Sequence, residues 1–144
     1  MAHGASEAVD RAVESLGLDA DRRGTREWVV AVPLAKRGPL PVTIALGDRT
    51  AHLRAFILRR PDRNAAEIHE RLLRRHLHMR LWRFALDDAG DLFAVADLPL
   101  AEVSADTLDR ALGLLATAVD ETYEGIVRTG FAVPEGTLFT PPPA

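Results

Sequence analysis

Four histidines fall between positions 52 and 78 (His52, His69, His76 and His78), and three aspartates stand close together at Asp87, Asp88 and Asp91. Imidazoles and carboxylates are the side chains that ligate metals and move protons near neutral pH, so their spacing decides whether either chemistry is open. On a helix His69 and His76 share nearly one meridian, but seven residues set them ~10 Å apart along the axis. One ion cannot bridge that gap, and the i+3 or i+4 spacing of helical metal ligands is missing. The aspartates lack the alternating ligands and closing Glu of a calcium loop and read instead as a turn. Ser6, Ser15 and Ser104 have no nucleophile context, and Ser6 and Ser104 read as helix caps. There is no glycine-rich phosphate loop, and the absence of cysteine excludes disulfide and thiolate-metal frameworks. The expectation is a protein without catalytic residues, metal or cofactor.

Charge is the other conspicuous chemistry. From Arg49 to Arg83 ten arginines face three acids, a balance of +7, whereas from Phe84 to the end two arginines face eleven acids, a balance of −9. A cluster that includes Arg59, Arg60, Arg63, Arg71, Arg74, Arg75, Arg80 and Arg83 could attract phosphates. The whole chain is nevertheless acidic, at −3, and carries no helix-turn-helix or RNP-like reading motif. An acidic peptide or protein is therefore the expected partner ahead of nucleic acid. The alternative is a regulatory domain that binds nucleic acid or an anionic ligand through the Arg-rich segment 54–83.

The elements that must position these groups follow from hydrophobic period. At 144 residues and 47% apolar content the chain is expected to form one domain. Val9, Ala12, Val13 and Leu16 recur at helical spacing, closed by Gly17-Leu18. Three alternating segments follow, around Trp28–Val32, Val42–Leu46 and Leu53–Ile57. Asn64 and Glu67 resemble a capping arrangement before a second helix from Ala65 to about Leu77. Leu81–Leu86 and Leu92–Leu98 read as two strands joined by the aspartate turn. Ser104 opens a last helix whose stripe runs Leu108, Ala111, Leu112, Leu115, Val119, Tyr123 and Ile126, to end at Gly130. The order α-β-β-β-α-β-β-α predicts an α+β domain with an antiparallel five-stranded sheet and packed helices. It spans 6–131, leaving 132–144, with Pro141-Pro142-Pro143, as a stiff tail. No run reaches the ~18 apolar residues of a membrane helix. Residues Met1 to Ser6 lack a signal-peptide layout, so a cytoplasmic location without membrane contact is expected.

Two surfaces stand out on this scaffold. The apolar arc of the second helix covers about half its circumference, more than the ~100° one core needs. Ile68, His69, Leu72, His76 and Met79 are therefore candidates for a homodimer interface. The competing reading makes His69 and His76 core residues with hydrogen-bonded rings. Phe56 and Leu58 fall opposite Leu53, Ala55 and Ile57 on their strand, and Leu114 points away from the stripe of the last helix. With Arg71, Arg74 and Arg75 they are candidates for a partner-binding surface.

The strand entry Trp28-Val29-Val30-Ala31-Val32-Pro33, the run Leu72-Leu73-Arg74-Arg75-His76 continuing through Arg83-Phe84-Ala85-Leu86-Asp87 to Gly90-Asp91-Leu92, and the order of elements resemble YbjN-domain proteins. These share the type III secretion chaperone-like fold and are abundant in actinobacteria. The resemblance covers roughly residues 6 to 131 and implies a compact, frequently dimeric α+β domain with binding roles. The combined expectation is a non-enzymatic, homodimeric, chaperone-like protein-binding module or regulator. Its partners would be itself and an unidentified protein or peptide.

Overall fold

The strands arise where apolar residues alternate, and the longest amphipathic helix covers one face of the sheet they build. The computed structural model describes residues 2–132, with side chains from position 4 onward, so the Pro141–Pro143 tail lies outside the described residues. In chain order the elements are α1 (Ala2–Leu16), β1 (Asp19–Arg22), β2 (Glu27–Val32), β3 (Leu40–Leu46), β4 (Thr50–Leu58), α2 (Ala65–His76), β5 (Arg83–Leu86) and β6 (Leu92–Pro99). A single 3-10 turn (Leu100–Glu102) then leads into α3 (Ala105–Gly130). The sheet runs β1-β2-β3-β4-β6-β5 with every pair antiparallel.

The sheet thus has six strands where the periodicity predicts five. All four residues of β1 are exposed, so it shows no apolar alternation. What makes it a strand is backbone pairing with β2, from Asp19 opposite Ala31 to Arg22 opposite Trp28. An edge strand held by ladder hydrogen bonds and polar side chains leaves no trace in hydropathy.

One face of the sheet is the core. Trp28, Val30, Val42, Ile44, Leu53, Ile57, Ala94 and Ala96 are buried there, with Leu108, Leu115, Val119, Tyr123 and Ile126 of α3. The α1 helix lies along α3 and reaches β3, while α2 touches α3 and β5. Ser104 caps α3 as expected: its Oγ accepts from Thr107 N–H, and Thr107 Oγ1 accepts from Ser104 N–H.

Two other caps are corrected. The α1 helix begins at Ala2, so Ser6 sits inside it and its hydroxyl donates to Thr25 O at 2.9 Å. Asn64 precedes α2 in the left-handed region, with φ 58°, and its side chain makes no capping bond. Its Nδ2 donates instead to Thr129 O at 2.8 Å, while Asp62 N–H and Arg63 N–H both donate to Gly130 O. The start of α2 is therefore tied to the end of α3. Only glycine fits at 130, because a Cβ there would lie 2.7 Å from Ile68 Cδ1 and 2.8 Å from Pro61 Cβ.

Tyr123, the only tyrosine, is buried in this core near Arg37, whose guanidinium donates to Ile57 O and Pro39 O. Burial raises the phenol above its ordinary value of 10.0, and the positive charge of Arg37 partly opposes that. A pKa raised by folding stabilises the native state fully below the unfolded value, and that contribution is lost as pH rises through the folded one. Urea titrations between about pH 9 and pH 11 should show a steep alkaline loss of stability. Tyr123→Phe should flatten it. Parallel curves for the two proteins would assign the loss to other groups.

Candidate functional site

β5 is an outer strand of the sheet, and α2 lies against it. The exposed large apolar side chains of the described residues are Leu73 (68% exposed), Leu77 (83%), Leu81 (39%) and Leu86 (47%). All four belong to α2, β5 or the connection between them. Single exposed leucines are ordinary, but their concentration on one edge is not. Of these, Leu73 and Leu86 wall a groove of about 300 Å³ between α2 and β5, together with His69, Leu72, His76 and Phe84. Leu81 is held at φ 66°, a left-handed conformation uncommon for a leucine.

The two histidines of the predicted arc are half-buried walls of this groove. The ring of His76 stacks on Phe84 with centroids 5.8 Å apart and planes inclined by 14°. Its Nε2 accepts the backbone N–H of Phe84 at 2.8 Å. That bond uses the Nε2 lone pair of the ring. The imidazole thereby satisfies a donor on an edge strand.

The other interface candidates separate. Ile68 and Leu72 are buried within the chain, Ile68 against Gly130, while Leu72 also lines the groove. The arc is wider than one core needs because α2 packs α3 on one side and leaves Leu73 and Leu77 outside. Both leucines lie on the arc that the helical period marks, yet periodicity alone does not say which half faces inward. Met79 is half-buried and packs on the core.

The partner-surface candidates do not form one patch. Phe56 lies on the sheet face opposite the helices, edge-to-face with Phe93 at 5.3 Å, and Arg54 sits 4.1 Å above the Phe93 ring. Leu58 is a correction, being 1% exposed in the core. A register shift between Phe56 and Leu58 sets Leu58 opposite the buried Leu92 and turns it back to the helix-covered face. Leu114 is half-buried and shares a second, smaller cavity with Arg75. Arg71 pairs with Glu67 at 3.0 Å and Arg74 with Glu70 at 2.8 Å along α2, while Arg75 crosses to Glu121 of α3.

The aspartates of the turn before β6 serve structure. Asp87 Oδ1 accepts the N–H groups of Ala89 and Asp91, and Asp91 Oδ1 accepts that of Arg60, so the aspartate turn is built from its own carboxylates. A side-chain hydrogen bond between Arg59 and Asp62 raises the former's pKa and lowers the latter's. No three His, Asp or Glu among the described residues are grouped so as to hold a metal ion. No helix among them is long and apolar enough to cross a membrane.

This α+β fold, an antiparallel sheet with three helices, is similar to that of solved type III secretion chaperones. The Yersinia pestis chaperone SycH, solved in complex with a stable fragment of YscM2, aligns with a TM-score of 0.53 at 18% identity, covering 83% of this chain and 98% of SycH. A chain of the ExsC–ExsE complex aligns at 0.61 and 16% identity, covering 86% of this chain and 94% of its own. YbjN of E. coli aligns at 0.61 and 12% identity, covering 83% and 92%.

The chain belongs to the YbjN family, whose model, described as "Putative bacterial sensory transduction regulator", matches residues 5–128. Among its relatives, an uncharacterised protein of Mycobacterium leprae, ML2442, is 31% identical over 75% of this chain. Another from Mycobacterium tuberculosis, Rv0487, is 29% identical over 72%. The chain spans 59% and 56% of the length of these two relatives.

Proposed function

We propose that this protein is a non-enzymatic, homodimeric protein-binding module of chaperone-like type, acting in the cytoplasm. The observation that carries the reading is the gathering of Leu73, Leu77, Leu81 and Leu86 along α2 and the β5 edge. A second copy is the occupant proposed for that surface, because the exposed leucines continue from α2 to an outer strand and an isologous contact would cover both at once. Two of the fold neighbours were solved with a protein partner, which supports a bound protein segment elsewhere on the module.

Recognition of nucleic acid or an anionic ligand through segment 54–83 has less support. Arg59, Arg71, Arg74 and Arg75 already face acids within the chain. Light scattering coupled to gel filtration should give twice the 15.7 kDa chain mass for the wild type. It should give the single-chain mass for Leu73→Asp/Leu77→Asp, with an unchanged circular dichroism spectrum. A wild-type monomer at micromolar concentration, or a double variant that stays dimeric, would remove the dimer from the proposal.

A further inference from the structure

Leu77 is the most exposed large apolar side chain of the described residues, at 83%, and it stands beside the α2–β5 groove without lining it. It is not on a loose end. As the C-cap of α2 it keeps helical backbone angles, φ −56° and ψ −28°, and its N–H donates to Arg74 O at 3.3 Å. The side chain is therefore held out in water, one helical turn and ~6 Å beyond Leu73 along the axis.

The groove has the complementary deficiency. Leu72, Leu73, Phe84 and Leu86 give it an apolar wall, and one polar atom of that wall, His76 Nε2, is already occupied by Phe84 N–H. The charged groups of α2 ask for no ionic partner either. Arg71 and Arg74 pair with Glu67 and Glu70 along the helix, and Arg75 pairs with Glu121 of α3. What is left uncompensated on this side of α2 is apolar surface, so the occupant that fits is an apolar side chain.

We propose that Leu77 of a second copy fills the groove, while Leu77 of the first fills the groove of the second. The inference rests on the dimer reading above and names the residue that completes its interface. Knob and hole share one helix, a turn apart. A two-fold axis passing between Leu73 and Leu77, with the two α2 helices antiparallel, therefore sets each Leu77 opposite the other copy's Leu73 at the mouth of the groove. The same contact is made twice. The groove is incomplete in one chain and complete in two.

Two variants test this, both at exposed positions so that each should keep the wild-type circular dichroism spectrum. Leu77→Lys charges the knob, and Leu86→Asp charges the β5 wall of the groove, across from α2. Each alone should raise the dimer dissociation constant about a hundredfold, because both copies of the contact are lost and each buried leucine is worth roughly tenfold. Mixed in equal amounts, the two should form a heterodimer: the new lysine meets the new aspartate, and the unaltered leucine meets the unaltered groove. Sedimentation velocity at micromolar concentration reads the masses. Variants that are monomeric alone and dimeric together support the proposal. A wild-type dimer that Leu86→Asp leaves intact would overturn it, since the contact would then run from helix to helix without entering the groove, and the dimer reading would stand. A wild-type dimer assembled from ¹³C-labelled and unlabelled chains gives a second measurement that needs no variant. Nuclear Overhauser effects should connect the Leu77 methyls of one copy to the Phe84 ring of the other, and a dimer without them would overturn the proposal in the same way. A wild-type monomer would remove the dimer and this inference together.

Discussion

Trp28→Ala should lower the unfolding free energy by about 3–5 kcal/mol, the range for emptying a large aromatic site in a core. Trp28 is 1% exposed on β2, in the layer between the sheet and the helices. It also joins three elements. Its Nε1–H donates to Asp10 Oδ1 of α1 at 2.9 Å, the same carboxylate accepts Arg22 Nη1 of β1 at 2.6 Å, and the Arg22 guanidinium lies 5.0 Å from the indole centroid. Trp28→Phe largely separates packing from hydrogen bonding, since it keeps most of the apolar volume and removes the indole donor. Asp10 remains partly solvated and keeps Arg22, so the phenylalanine variant should cost only about 1 kcal/mol. Urea unfolding followed by circular dichroism measures both. Equal costs for the two variants would mean that the Asp10 bond, and not burial, holds α1 and β1 to the sheet.

Ile68→Ala should cost about 2–5 kcal/mol and should do so without altering the assembly state. Ile68 is 1% exposed, and its Cδ1 occupies the space that a side chain at position 130 would need. Removing it opens a cavity where the start of α2 is tied to the end of α3 through Asn64 and Gly130. The same substitution at an interface would behave differently: the loss would grow on dilution and the mass would fall. Unfolding at two protein concentrations tenfold apart therefore tests the assignment. A cost that depends on concentration would return Ile68 to the dimer interface, where the helical period alone could also place it.

Much of the architecture is written in local pattern. The α3 stripe, its Ser104 cap and its end at Gly130 are set by residues three or four apart, and the five alternating strands by a period of two. The absence of a motif for catalysis is likewise a matter of residue types and spacing. The strand β1 is not legible this way, because its four exposed residues are held by hydrogen bonds to β2 and carry no apolar signal. The face of Leu58 is not legible either, for a related reason. Alternation predicts it opposite Ile57, and one shift of register against β6 brings both inside.

The candidate surface divides along the same line. From sequence alone, α2 is an amphipathic helix with an apolar arc too wide for one contact, and two histidines sit in that arc. That much is fixed by 3.6 residues per turn. Which half of the arc turns inward depends on where α3 ends, and only the tertiary structure brings Gly130 and Pro61 against Ile68 and leaves Leu73 and Leu77 in water. The bond from Phe84 N–H to His76 and the ion pair of Arg75 with Glu121 likewise join residues on different elements. Helical period constrains neighbours one turn away, whereas these contacts depend on how α2 packs between β5 and α3. The sequence therefore determined which residues could form a surface, and the packing of α2 decided which of them did.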